Sequence, residues 1–141
     1  MTRHQMRQSV FMLTFERIFN DDSIESILQD ARECETVEIN EQVIALFRGV
    51  EEKKAILDDE IQKYLKNWTI SRISKVSLAV LRVAMYEILF VDDIDTDVAI
   101  SEAVKIAQEF TGKEDVSFVN GVLSSVSKAL GAPQKQQGAE E

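Results

Sequence analysis

Three observations on this chain predict an all-α fold. Apolar residues recur at three- and four-residue spacing over most of its length, as on helices with one buried face. Glycine occurs five times, and the single proline, Pro133, stands close to the C-terminus, so long helices can run uninterrupted. A strand-and-turn architecture would want more turn residues than are present. At 141 residues, one domain with a proper core is expected.

The elements follow in order. Residues 3–19 form a first helix with Val10, Phe11, Leu13 or Thr14, Phe15 and Ile18 on its apolar side. Arg3 and Arg7 are four apart and project from one flank of its first turns. Cations at a helix N-terminus oppose the macrodipole. The segment is therefore either a frayed terminus or a basic arm that orders on an anion. Asn20-Asp21-Asp22-Ser23 makes a turn and cap, leading to a short helix with Ile24, Ile27, Leu28 and Ala31 inward. After a connector, Asn40 caps the next helix, with Glu41 in its first turn. Val43, Leu46 or Phe47, Val50, Leu57, Ile61 and Leu65 keep one register, which predicts a single long helix, bent if anywhere at Gly49. Trp68, in the connector Asn67–Ser71, is expected to plug the junction of two halves rather than form an exposed stacking platform. Residues 75–90 are apolar on nearly every side, as in a helix surrounded by others, with Arg82 and Glu87 needing polar partners or a path to the surface.

Asp92-Asp93-Ile94-Asp95 ends that helix, and residues 98–126 read as helix, polar turn, helix. Val98, Ala103, Val104, Ala107 and Phe110 mark the first apolar face; Phe118, Val119, Val122, Leu123 and Val126 mark the second. Thr111–Asp115 is a glycine stop followed by an acid able to cap. Gly121 inside the second helix costs roughly 1 kcal/mol relative to alanine, so a close approach by backbone or ligand is expected at Asn120-Gly121. Residues 131–141 carry no apolar pattern and are expected to be disordered.

Composition narrows the function. The net charge of −9 argues against nucleic acid until its distribution is considered. Residues 21–60, with thirteen acids and four bases, account for all of it, and residues 61–82 hold Lys63, Lys66, Arg72, Lys75 and Arg82 with no acid. No apolar run spans a bilayer, the first residues lack a secretory core, and the single Cys34 suits a reducing compartment, so a cytoplasmic location is expected. Cys34 sits between Glu33 and Glu35, which disfavours a thiolate.

The one histidine is His4; no Ser/His/Asp set, metal-ligand spacing or glycine-rich phosphate loop occurs. A binding protein, with no enzyme activity, cofactor or metal, is expected. The candidate sites are the N-terminal arm and the turn entering Phe118, where free backbone N–H groups attract phosphate. Lys113 would assist there, whereas Glu114 and Asp115 would compete as caps. Phe118 is either ordinary core or a platform for an unpaired base.

The segments NWTISRI, AVLRVAMYEILF, DDIDTDVAISEAVKIAQEF and FVNGVLSSV resemble the C-terminal half of the NusB family. Arg3, Arg7 and ALFRGVEEKKAILDDEI agree more loosely with its first half. The resemblance covers about residues 3–128. It implies two small helical bundles packed together, six to seven helices in all, in a single domain over 1–130, divided near residue 66. It also implies transcription antitermination: binding boxA-type single-stranded RNA of ribosomal RNA leaders with the ribosomal protein NusE, in the RNA polymerase antitermination complex. Carried over by position, RNA contacts fall on Arg3, His4, Arg7, Glu114, Ser117, Phe118 and Asn120, and NusE contacts on Phe15 and Ser77.

This chain departs from the family at Arg3-His4, where two adjacent bases are usual, and at Ser117, where lysine is common. Ser77-Leu78 replaces charged residues, and Asp95 stands where proline is common. Weaker RNA affinity is expected. Arg7→Glu should then weaken RNA binding and leave helicity intact. The alternative is an RNA-independent interaction module accessory to an enzyme that processes or modifies ribosomal RNA.

Overall fold

A computed structural model describes residues 1–131 as seven α-helices, a 3-10 turn and a closing π-helical turn, with no strand among those residues. The helices are α1 (Arg3–Phe19), α2 (Ile24–Cys34), α3 (Glu41–Glu52), α4 (Lys54–Gln62), α5 (Lys75–Phe90), α6 (Thr96–Phe110) and α7 (Lys113–Val126). Apart from Gly131, the tail expected to be disordered lies outside the described residues.

Short polar caps start four of these helices. Helix α1 opens on a capping box: the Gln5 amide donates to the Thr2 hydroxyl at 3.0 Å, and Thr2 N–H donates to the Gln5 side chain at 2.8 Å. The first turn is therefore capped by the chain's own residues, which neither a frayed terminus nor an arm that waits for an anion would need. Ser23, Asn40 and Ser74 cap α2, α3 and α5 by accepting from the amide three residues on.

The predicted long helix is two. It breaks at Lys53, whose backbone (φ −95°, ψ 8°) leaves the helical region, so Gly49 is not the bend. Gly49 is instead a close approach: a Cβ there would run into the hydroxyl end of the Tyr86 ring. The absent side chain lets α3 lie against α5.

Two apolar cores result. Met6, Val10, Leu13, Ile27, Leu28, Val43 and Phe47 of α1–α3 form one, joined by Val83 of α5. Leu57, Ile61 and Leu65 join α5, α6 and α7 in the larger one, with Phe11 of α1. Helix α4 thus packs with the second core through Leu57 and Ile61. Helix α5 is buried from Ser77 to Met85 and touches α1, α3, α4, α6 and α7. Arg82 makes a two-pronged bond to Asp58, both contacts 2.8 Å, which fixes α4 to α5. On α6 the buried face is Ala99, Ala103, Ile106 and Ala107, whereas Val98 and Phe110, expected inside, are exposed.

Candidate nucleic-acid interface

The N-terminal cations are not a free arm. Arg7 is 3% exposed, and its Nε lies 3.0 Å from both carboxylate oxygens of Glu87, itself 2% exposed. Arg7 Nη1 is 3.7 Å from Glu102. Arg7 therefore does not project beside Arg3 as expected; it ties α1 to α5 and α6. Burial pushes the Glu87 carboxyl above its ordinary range, although the bond from Arg7 pulls the other way. One Arg7 nitrogen, Nη2, is buried without a partner, and Arg7 and Glu87 both border a cavity of about 10 Å³.

His4 spans two acids, with Nδ1 2.8 Å from Glu102 and Nε2 2.8 Å from Glu109. A ring that faces a carboxylate at each nitrogen donates at both only as the imidazolium. The Glu102 hydrogen bond leads in holding the His4 pKa above 6.5, with Glu109 adding to it and partial burial opposing. Burial pushes Glu102 up, but bonds from Lys105 and His4 outweigh it and leave that carboxyl below its ordinary range. Arg3 is exposed and forms no ion pair among the described residues.

At the far end of the chain, Gly112 starts α7 with no side-chain cap, so the amides of its first turn have no capping side chain, although Glu114 and Asp115 stand in that turn. The expected acidic cap is missing because Asp115 is engaged elsewhere: its Oδ1 accepts from Ser74 at 2.7 Å and from Ser77 at 2.8 Å. Ser77 is 0% exposed, so this hydroxyl anchors α7 to α5 and offers no surface to a partner. Lys113 and Glu114 are exposed at the helix start.

The remaining α7 candidates face two different grooves. Asn120 lies with Lys113, Ser117, Val104 and Gln108 between α6 and α7. Phe118 is half-buried against the larger core and looks to the other side, where Tyr64, Lys66, Trp68, Ser117 and Gly121 line a groove of about 300 Å³. Gly121 has nothing within 4 Å of a would-be Cβ, so of the two expected approaches no backbone makes one, and the position borders open groove. Trp68 is 51% exposed and is not a plug.

His4 and the α7 residues do not share a site. Glu102 and Glu109 lie about two turns apart on the flank of α6 that faces α1. Val104 and Gln108, which face α7, are on the opposite flank. Sequence reasoning expected a polar partner for Glu87 but missed that it is Arg7, and it missed Glu102 and Glu109, which hold His4, and Gln62 beneath the Trp68 loop. A signal for the ordered start of α1 was present in the Thr2/Gln5 pair; the acids sit 80 or more residues away and carried none.

The expected partner residue Phe15 lies half-buried in an aromatic row. Its ring centroid is 6.0 Å from that of Phe11 and 5.2 Å from that of Phe19, and Phe110 reaches Phe11 at 5.0 Å. Phe19 is 65% exposed at the end of this row. Among the described residues no helix is long and apolar enough to cross a membrane.

Comparison with known proteins gives a consistent picture. Residues 2–128 match the NusB family. The chain is 38% identical over 121 residues to the transcription antitermination protein NusB of Clostridium tetani, covering 82% of this chain and 79% of that protein. It is 35% identical over 126 residues to the protein of the same description from Oceanobacillus iheyensis, with coverage of 89% and 98%. Among solved structures, T. maritima NusB superposes with a TM-score of 0.83 at 35% identity, covering 98% of each chain. A chain from the crystal structure of antitermination factors NusB and NusE in complex with dsRNA gives 0.79 at 20% identity, covering 90% and 96%; that likeness concerns the fold.

Proposed function

The chain belongs to the NusB family, and we propose that it works as a cytoplasmic transcription antitermination factor, without catalysing a reaction. In this reading it binds boxA-type single-stranded RNA of ribosomal RNA leaders together with the ribosomal protein NusE. The observation that carries the proposal is the family match, which runs through both cores and every described α-helix. The geometry supports it at the start of α7. There an uncapped helix N-terminus, the exposed Lys113, Ser117 and Asn120, and the half-buried Phe118 stand together. Glu114 in the same turn opposes phosphate and makes RNA affinity dependent on the partner.

Arg3 and His4 extend the RNA surface around α6. Arg7 serves it from behind, by positioning α1. The partner face is the aromatic row of Phe15, Phe19 and Phe110, a half-exposed apolar strip of the kind that protein interfaces cover. Ser77 supports the structure beneath, through Asp115.

A second reading, an RNA-independent module accessory to an rRNA-modifying enzyme, has one observation in its favour: His4 and Arg7 already have carboxylate partners. A titration of labelled single-stranded boxA-type RNA, with and without the ribosomal partner, separates the two. Tighter RNA binding with the partner supports antitermination. Complex formation with the partner but no RNA binding supports the module.

A further inference from the structure

We infer that the groove between Trp68 and Phe118 holds an unpaired base of single-stranded RNA, with Trp68 as its stacking platform. This deepens the RNA-binding reading and rests on it. Trp68 and Phe118 together border two adjoining grooves. One, of about 300 Å³, is completed by Tyr64, Lys66 and Gly121; the other, of about 240 Å³, is completed by Arg72 and Glu114.

Four observations point to a base. First, the tryptophan is exposed yet held. Gln62 donates to the Trp68 carbonyl at 2.8 Å and accepts from the Ile70 amide at 3.0 Å, so the loop carrying the indole is pinned from both ends. A large apolar ring kept in water by a fixed loop is pre-organised for a flat ligand.

Second, the opposite wall is fixed as well. The Ser74 and Ser77 hydroxyls hold Asp115, which sets the start of α7 and hence Phe118. Third, charge is complementary to a phosphate backbone. Lys66 and Arg72 are exposed and have no carboxylate partner among the described residues; in α1 the same holds for Arg3, whereas His4, Arg7 and Arg17 are paired. Of the two acids bordering the second groove, Asp115 is engaged by the two serines, leaving Glu114 exposed. Fourth, α7 presents Gly121 to the groove with nothing near it, which leaves room where any side chain would intrude.

The chain has one tryptophan, so its emission reports this groove alone. The test titrates the full chain, with the ribosomal partner present, with fluorescein-labelled single-stranded RNA and with the same strand annealed to its complement. Single-stranded RNA is expected to quench Trp68 emission. Trp68→Ala should weaken single-strand binding roughly ten-fold or more, Trp68→Phe should retain most of it, and duplex binding should move less than about two-fold with either. Far-UV circular dichroism checks the fold. If Trp68→Ala does not fold, Trp68→Phe affinity and wild-type quenching still decide the question.

Wild-type RNA binding without quenching, and unchanged in Trp68→Ala, overturns the base site while leaving the RNA reading intact. Quenching by the partner protein alone, with RNA adding none, makes the groove a protein dock and also overturns it. Absence of RNA binding under all conditions removes both readings.

Discussion

Replacing Arg7 by methionine keeps an apolar stem of similar length and strands the Glu87 carboxylate. The site is closed to water on both sides of the pair, Arg7 being 3% and Glu87 2% exposed. Breaking a buried pair by removing one partner costs about 3–5 kcal/mol. A second route sets a ceiling, because the stranded carboxyl can instead take up a proton. Starting from an ordinary value of 4.5, that costs roughly 3.4 kcal/mol at pH 7 and about 0.7 kcal/mol at pH 5. Arg7→Met should therefore lose about 3 kcal/mol at neutral pH and 1 kcal/mol or less at pH 5, relative to the parent at the same pH. Arg7→Met combined with Glu87→Leu should recover most of the loss, since an apolar replacement of the whole pair is often neutral or better. Urea denaturation at the two pH values, with an unchanged m-value, measures all three differences. A loss below about 1 kcal/mol at pH 7, or an equal loss at both, would refute the buried clamp. Arg7→Glu places two carboxylates in this site, so the expectation that it leaves helicity intact is withdrawn.

Three further predictions follow from the same geometry. His4 has its pKa raised in the folded chain, so its bridge stabilises α1 fully below the ordinary 6.5 and is lost as pH rises through the raised value. As the only histidine, it should show an NMR titration midpoint above 6.5 that falls in Glu109→Gln; a parent midpoint at or below 6.5 contradicts the bridge. Gly49→Ala should destabilise by about 1–3 kcal/mol through overlap with Tyr86, despite the helix-propensity gain. Gly121→Ala, with open space at its Cβ, should stabilise by about 0.5–1 kcal/mol; thermal melts showing the same sign for both would undo this distinction between the two glycines.

The fold was readable because amphipathic periodicity is local. Val10, Ile27, Val43, Leu81 and Leu123 each announce their buried face within a turn or two, and all are fully buried or nearly so. What stayed hidden depends on partners remote in sequence. Arg7 read as a surface cation because Glu87, 80 residues on, gives no local sign of facing it. Ser77 was assigned to the partner surface only through the family resemblance, and nothing local shows that its hydroxyl is claimed by Asp115. The break at Lys53 stayed hidden because Val50 and Leu57, both buried, keep one apolar register across it. Trp68 was placed inside on size alone, which ignores the Gln62 bonds that hold its loop at the surface. Of the candidate site, the start of α7 was legible as a helix start beside Phe118, but with an acidic cap that Asp115, held by Ser74 and Ser77, does not supply. Its division into two grooves was not, because that depends on which helix packs on each flank.

The central claim is that this chain recognises RNA jointly with a ribosomal protein. The direct measurement is the affinity for boxA-type single-stranded RNA across a range of salt concentrations, with the chain alone and with the partner bound. Weak binding alone, a clear gain with the partner, and a log–log salt slope of about −0.7 per phosphate contacted on a single strand are expected. Affinity that is the same with and without the partner, or independent of salt, would contradict that claim.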